Sequence, residues 1–461
     1  MARPGAAGWR GRGLLQPSAL ALVALLLLLH GVYSLTPDIT PALRNLAFLG
    51  GSVILVALLL GAWLFWRTLF ETDRTTSHGG VPDRLDALLP IVMIASAAYF
   101  SLPNRLALVL VAAFLVAQGA IVAWGRLRLS LLVSCAVLLV AFSVVIARSS
   151  IDHLGADMLP VIAWADRVFL HGLNPYFEDY TSVTPGPFYY LPLQWLIYLP
   201  FVALHLDLRL LNLAAVFGTI GLYLMLWRDS PRPWSGFAVL LAVIASRPST
   251  EMVYQGEVWP LWFMVSAFAV AYYRQRWWLA AVMLGLLLAC NQTTLVLAAL
   301  LAVWQLRSGA PWRKTIGLGA VTAAVYVAIT FPFARGVVAF IDQNYIVLPH
   351  LAGIMSEQKF HNSITEVSVV NVLTRLHLMS LRGLLQLAAG IAGMAVLALR
   401  RTTPRAFLAV CALTYLVAIG LNVQVWKYYY IQGLLLLFWS IYGPGEARTP
   451  GHDVIAPEPF R

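Results

Sequence analysis

The stretch GADMLPVIAWADRVFLHGLNPYF, residues 155–177, places two aspartates, an arginine and a histidine inside a chain otherwise made of apolar blocks. Val161, Trp164 and Val168 recur at helical spacing, and Gly172 followed by Pro175 marks a helix stop. Together they predict a short amphipathic helix over 158–170. Such a helix belongs at a membrane surface rather than in hydrocarbon. The stretch therefore divides the chain into membrane blocks before it and after it.

The surroundings justify that division. Of 461 residues, 60% are hydrophobic and 11% charged, whereas soluble domains carry roughly a quarter charged residues. Apolar runs long enough to cross a bilayer predict spans near 18–35, 44–66, 86–102, 104–123 and 129–147. After the polar stretch they recur near 208–227, 235–248, 256–273, 315–333, 382–399, 406–421 and 427–443. The first run follows Arg3, Arg10 and Arg12 like a signal peptide. Its long apolar core, with no small-residue cleavage site after it, reads as a retained helix. Residues 277–306 are interrupted by CNQTT (290–294) and flanked by charge at both ends. They read as a half-helix hairpin with Asn291 at its apex, or as one tilted span. The element YYLPLQWLIYLPFVAL (189–204) carries prolines, a tryptophan and tyrosines that suit the headgroup zone, so it reads as interfacial. The fold class is thus an all-α polytopic membrane protein of about 12 spanning helices. Its regions are an N-terminal block 1–147, an outer loop 148–207, a C-terminal block 208–443 and a tail 444–461.

The net charge of +11 does not imply nucleic acid as a partner. Basic residues cluster in short loops such as GRLR (125–128), RQR (274–276) and RRTTPR (400–405), the bias expected of cytoplasmic loops. Both termini then fall in the cytoplasm of an inner or plasma membrane. The polar segments 148–190 and 334–377 fall on the opposite face, with most of the carboxylates and histidines. Cys135, Cys290 and Cys411 lie in or beside apolar runs and form no disulfide framework.

Asp157 stands at the start of the amphipathic helix, where an N-cap is worth about 1 kcal/mol. Asp152 lies close by. Asp166 and Arg167 are assigned to the solvated face. On the outer side Lys359, His361, Lys427 and Arg247 are cations suited to a phosphate, although Lys427 beside aromatics also fits snorkelling. Glu251 and Glu257, near a helix end, suit sugar hydroxyls or local hydrogen bonds. The scattered carboxylates show no compact metal-ligand spacing.

The order of these parts carries a resemblance: a span, an aspartate, an amphipathic helix, GLNPY (172–176), YLPL (190–193) and a second interfacial helix. It resembles the glycosyltransferases of the C superfamily, and most of all glycosyltransferase family 87, the polyprenol-phosphate-mannose-dependent mannosyltransferases and their relatives. HNSI (361–364) resembles the family's Asn-x-Ser-Leu element, and VYQGEVW (253–259) its Gly-Gln turn in reversed order. The resemblance implies a glycosyltransferase C-type fold and an inverting transfer of a hexose, mannose first, from a polyprenyl-phosphate sugar to an extracytoplasmic glycan or glycolipid. It implies Asp157 as the catalytic base, with Asp152 as competitor. Lys359, His361, Asn362, Lys427, Arg247, Glu251, Gln255, Tyr176 and Tyr190 would contact donor or acceptor. Membrane lipids would surround the chain, with no metal and no cofactor. Two features depart from the pattern. The aspartate follows the fifth predicted span rather than the first, and Ala156 precedes it where the family often has glycine. The competing class is a transporter or flippase of lipid-linked saccharides, which would place its charges near the bilayer midplane.

This arrangement predicts that cysteines introduced at Ser182 and Ser356 both react with an impermeant thiol reagent on intact cells. Labelling of only one of the two contradicts it.

Overall fold

The computed structural model describes residues 19, 22–27, 84–101, 105–151, 158–178, 188, 190–342, 373, 376–400, 402–422 and 429–444. Among these, every regular element is helical. The N-terminal block contributes α1 (Arg84–Ser101), α2 (Arg105–Ala123) and α3 (Leu127–Arg148). The outer loop holds α4 (Met158–Leu170), α5 (Pro192–Leu196) and α6 (Leu199–Ala203). Then come α7 (Arg209–Met225), α8 (Pro233–Ala245), α9 (Arg247–Tyr254), α10 (Trp259–Tyr273), α11 (Trp277–Cys290) and α12 (Leu295–Arg307). The chain closes with α13 (Trp312–Thr330), α14 (Ala334–Ile341), α15 (Arg382–Leu399), α16 (Pro404–Gly420) and α17 (Tyr429–Tyr442). The expected span 44–66 lies outside the described residues.

Burial sorts these helices. Every residue of α8 from Ser235 to Ala245 is buried, and α10, α16 and α17 are buried on nearly all sides. Helices apolar all round belong in the interior, and these four form the centre. By contrast α13 and α15 bury only 22% and 17% of their apolar windows, and α3 33%. They lie outside and turn apolar surface outward, as a lipid-facing helix does. These are also the helices long and apolar enough to cross a membrane: Leu127–Arg148, Trp312–Ala339 and Arg382–Leu399. The remaining apolar helices are shorter. At 1.5 Å per residue, the 15 residues of α10 reach about 22 Å, less than the ~30 Å of bilayer hydrocarbon. The architecture is a multi-pass membrane bundle in which short central helices are enclosed by long outer ones.

Two interruptions have local causes. α8 and α9 meet at a 60° bend. Ser246 there is extended, and Pro248 opens α9. Proline lacks the N–H that would continue the helix and clashes with the preceding turn. α11 and α12 are separated at Asn291, as CNQTT suggested. The side chain of Asn291 accepts from the backbone N–H of Thr293 at 3.0 Å and from its hydroxyl at 2.7 Å, which satisfies the opened turn locally. The expected hairpin packing differs. α11 lies along α10 and α13, α12 along α15 and α16, and the halves touch each other little.

α1 docks on α8 through a buried hydrogen bond from Ser235 to the Asp86 carboxylate, 2.7 Å. α2 and α3 are joined by the amide of Gln118, which pairs with Ser130 at 2.7 Å and Ser134 at 3.1 Å. The strongest tie joins α3 to α7. Arg209, only 2% exposed, donates to the carbonyls of Ile146 and Ser149 and to the Ser149 hydroxyl, at 2.7–2.9 Å. Its Nε donates to Asp207, whose carboxylate also accepts from the Arg209 backbone N–H. One guanidinium thus caps the C-terminus of α3, where cations are favoured, and brings the two ends of the outer loop together.

Replacing Arg209 by Met leaves buried carbonyls unpartnered, a loss of about 1–3 kcal/mol each. Thermal unfolding in detergent should show Arg209→Met less stable than Arg209→Lys, and both less stable than wild type. Equal melting temperatures would contradict the clamp.

Candidate functional site

The outer loop is built around α4. Leu159, Val161, Ile162 and Ala165 are buried against Phe188, Trp195, Tyr198 and Phe333. The helix spans Met158–Leu170 as the sequence predicts, and it stops in a Schellman arrangement. The Leu173 N–H bonds the Val168 carbonyl, the Gly172 N–H bonds that of Phe169, and Gly172 sits at φ +80°. Asn174 then caps a 3₁₀ turn over Pro175–Phe177, its side chain accepting from the Tyr176 N–H at 3.1 Å. The motif GLNPY is therefore a stop-and-turn device that delivers Tyr176.

Tyr176 is the hub of the loop. Its hydroxyl donates to the Tyr190 carbonyl at 2.5 Å and accepts from the Trp195 indole at 3.0 Å. Its ring packs against Phe188, Trp195 and Phe333. Burial pushes its phenol well above the usual range. Tyr176 was expected to contact donor or acceptor; its hydroxyl is instead committed to holding YLPL. Tyr190 supplies the carbonyl to that bond.

Behind the hub runs a polar seam. The Gln194 amide donates to Glu257 at 3.0 Å, Tyr198 donates to Asn212 at 2.6 Å, and Asn212 donates to the carbonyls of Val253 and Gly256. Asn212 thus caps the end of α9 and fixes the turn QGEV, which presents Glu257. Glu257 is 4% exposed and, with Gln194, Ile197 and Cys290, lines a small pocket. Arg247 and Glu251, expected to meet phosphate and sugar, form an ion pair with each other at 2.9 Å and are largely buried. Gln255 follows α9, its N–H on the Glu251 carbonyl. Asp157, Asp152, Lys359, His361, Asn362 and Lys427 lie outside the described residues.

Asp166 corrects the sequence reading. Arg167 is exposed as expected, but Asp166 is fully buried and neither carboxylate oxygen has a hydrogen-bond partner. The buried face of α4 comprises Leu159, Val161, Ile162, Ala165 and Asp166, whereas Trp164 and Val168 are only partly buried. Burial pushes the Asp166 carboxyl up to about 8. Asn212 was also missed, although a polar residue in the apolar run RLLNLAAV was the available signal. Gln194 in α5 and Tyr198 just after it gave none.

Beneath the loop, an apolar cleft of about 730 Å³ runs between α11, α12 and α13. It extends from Gln305 and Thr315 at one end to Tyr326 and Ile341 at the other, roughly 16 Å along α13 at the helical rise.

Short apolar helices enclosed by longer ones, with a structured loop packed on them, define a multi-pass membrane protein. Residues 184–420 match the model of glycosyltransferase family 87. The chain belongs to that family and is a membrane glycosyltransferase. No curated protein and no solved structure matches it. The match begins after α4 and GLNPY; it includes YLPL, Arg247, Glu251, Gln255 and HNSI, but neither Asp157 nor Lys427.

The buried Asp166 has a consequence for pH. Its folded-state value lies above the ordinary 3.8, so its contribution is fully present below about pH 4 and is lost as pH rises through about 8. Melting temperatures of wild type should fall from about pH 6 to about pH 9 more steeply than those of Asp166→Asn. Parallel pH profiles would contradict the assignment.

Proposed function

We propose that this family 87 enzyme transfers a hexose, with mannose favoured, from a polyprenyl-phosphate sugar to an extracytoplasmic glycan or glycolipid acceptor, with inversion. The observation that carries the reading is the apolar cleft. It reaches Ile341 at the end of α14, from which the chain leads toward Lys359, His361 and Asn362. A polyprenyl chain in that cleft would bring its phosphate toward the outer loops.

In this reading the fold is of the glycosyltransferase C type, with about 12 crossings. The short central helices complete their crossings by local thinning of the bilayer. Both termini are cytoplasmic, and the loop 148–207 with the segment 334–377 is extracytoplasmic. Contacts between the two segments support a shared face: Gly336 lies against the Tyr176 ring and the Arg335 guanidinium lies 4.3 Å from the centroid of Phe177. An acceptor hydroxyl oxygen attacks the anomeric carbon while Asp157 takes its proton. The bond from that carbon to the phosphate oxygen breaks, and the electron pair leaves with polyprenyl phosphate. Lys359, His361 and Lys427 stabilise the growing phosphate charge. Glu257, held by Gln194, would serve a sugar hydroxyl in preference to Glu251, which is paired with Arg247.

The break at Asn291 favours the transport reading, because discontinuous helices mark transporter sites. Its polar groups are met locally by Thr293, and family membership favours transfer.

Asp157→Asn keeps a capping side chain, since Asn caps about as well as Asp, and removes the base. Turnover on a polyprenyl-phosphate sugar should fall about 10²–10⁴-fold at unchanged melting temperature, with Asp152→Asn much milder. Full activity in both variants contradicts a carboxylate base in this stretch. Loss confined to Asp152→Asn moves the base to that residue.

A further inference from the structure

Gly336, in the first turn of α14, is buried against Tyr176, and a Cβ added there would overlap the Tyr176 ring. The ring cannot withdraw. Its hydroxyl is held by Tyr190 and Trp195, and its faces meet Phe188 at 5.0 Å and Phe333 at 6.2 Å between centroids. Beside this contact the Arg335 guanidinium lies 4.3 Å from the centroid of Phe177, and both side chains are exposed. The contact ties the first turn of α14 to the 3₁₀ turn Pro175–Phe177. Glycine at 336 is what lets the backbone of α14 reach the turn, and Arg335 fixes how it sits there.

We propose that Gly336 and Arg335 form a latch that docks the second outer segment on the NPYF turn, and that both are positioning residues for the transfer reaction. The inference rests on the reading above, in which the base belongs to the first outer segment and the phosphate-binding side chains to the second. The latch keeps those two groups in one register. Neither residue touches the substrate. Their effect passes through the relative placement of base and leaving group, where a shift of about 1 Å can cost 100-fold in rate.

The test uses the full chain in proteoliposomes with a polyprenyl-phosphate hexose donor. Gly336→Ala should lower kcat by about 10–100-fold and raise the donor KM, with the melting temperature of the bundle unchanged. Arg335→Gln should change both constants in the same direction but less, and Arg335→Lys should recover most of the loss. Wild-type kcat and KM in Gly336→Ala overturn the latch. A second measurement stands if Gly336→Ala does not fold. Phe177→Cys with Arg335→Cys, in a background carrying Cys135→Ser, is bridged with a short bis-methanethiosulfonate crosslinker. Bridging in high yield with turnover equal to or above that of the unbridged double variant supports a latch that stays closed; failure to bridge, or turnover below the unbridged variant after bridging, overturns it. If the wild-type protein turns over no lipid-phosphate sugar, the functional reading fails, while the bridging yield still reports on the latch.

Discussion

The outer loop depends on one buried guanidinium. Arg209 takes the last carbonyls of α3, the Ser149 hydroxyl and the Asp207 carboxylate at once. A buried arginine is costly unless its donors are met with good geometry, and here they are met by groups from both ends of the loop. About sixty residues of surface structure therefore begin and end at one point on the bundle. Everything built between those ends, from α4 to α5 and α6, is tied to that anchor.

From the anchor outward the loop is organised by aromatic packing and a few directed hydrogen bonds. Trp195, Phe188 and Phe333 enclose Tyr176, and its hydroxyl holds YLPL. Asn212 reaches from α7 to fix the turn that presents Glu257. Such groups would be expensive unpaired in a membrane setting, and pairing makes them rigid. Asp166 is the exception. A carboxyl buried without a partner is retained in its neutral form, with a stability that depends on pH.

Much of this was legible in the sequence. The limits of α4 followed from its period and from Gly172 and Pro175, and the break at Asn291 followed from a polar pentad inside an apolar run. The face of α4 was misread because Asp166 was taken to mark the wet side. The helix packs against Phe188, Trp195, Tyr198 and Phe333, which lie further along the chain and leave no signature within it. Arg247 and Glu251 pair with each other, as their i,i+4 spacing on a short helix favours. The partners of α11 and α12 were also illegible, since periodicity reports that a face is buried and not against what. Family membership rests on residues 184–420, whereas the motifs that suggested it lie mostly before residue 195.

The central claim is lipid-phosphate-dependent transfer by the protein itself. The most direct measurement reconstitutes purified protein in liposomes with a radiolabelled polyprenyl-phosphate hexose and an acceptor lipid extract, and follows label and anomeric configuration. The account predicts transfer to an acceptor with inversion, release of polyprenyl phosphate, and no use of a nucleotide sugar. Transfer from a nucleotide sugar without a lipid intermediate, or movement of the intact lipid-linked sugar across the bilayer without transfer, would contradict it.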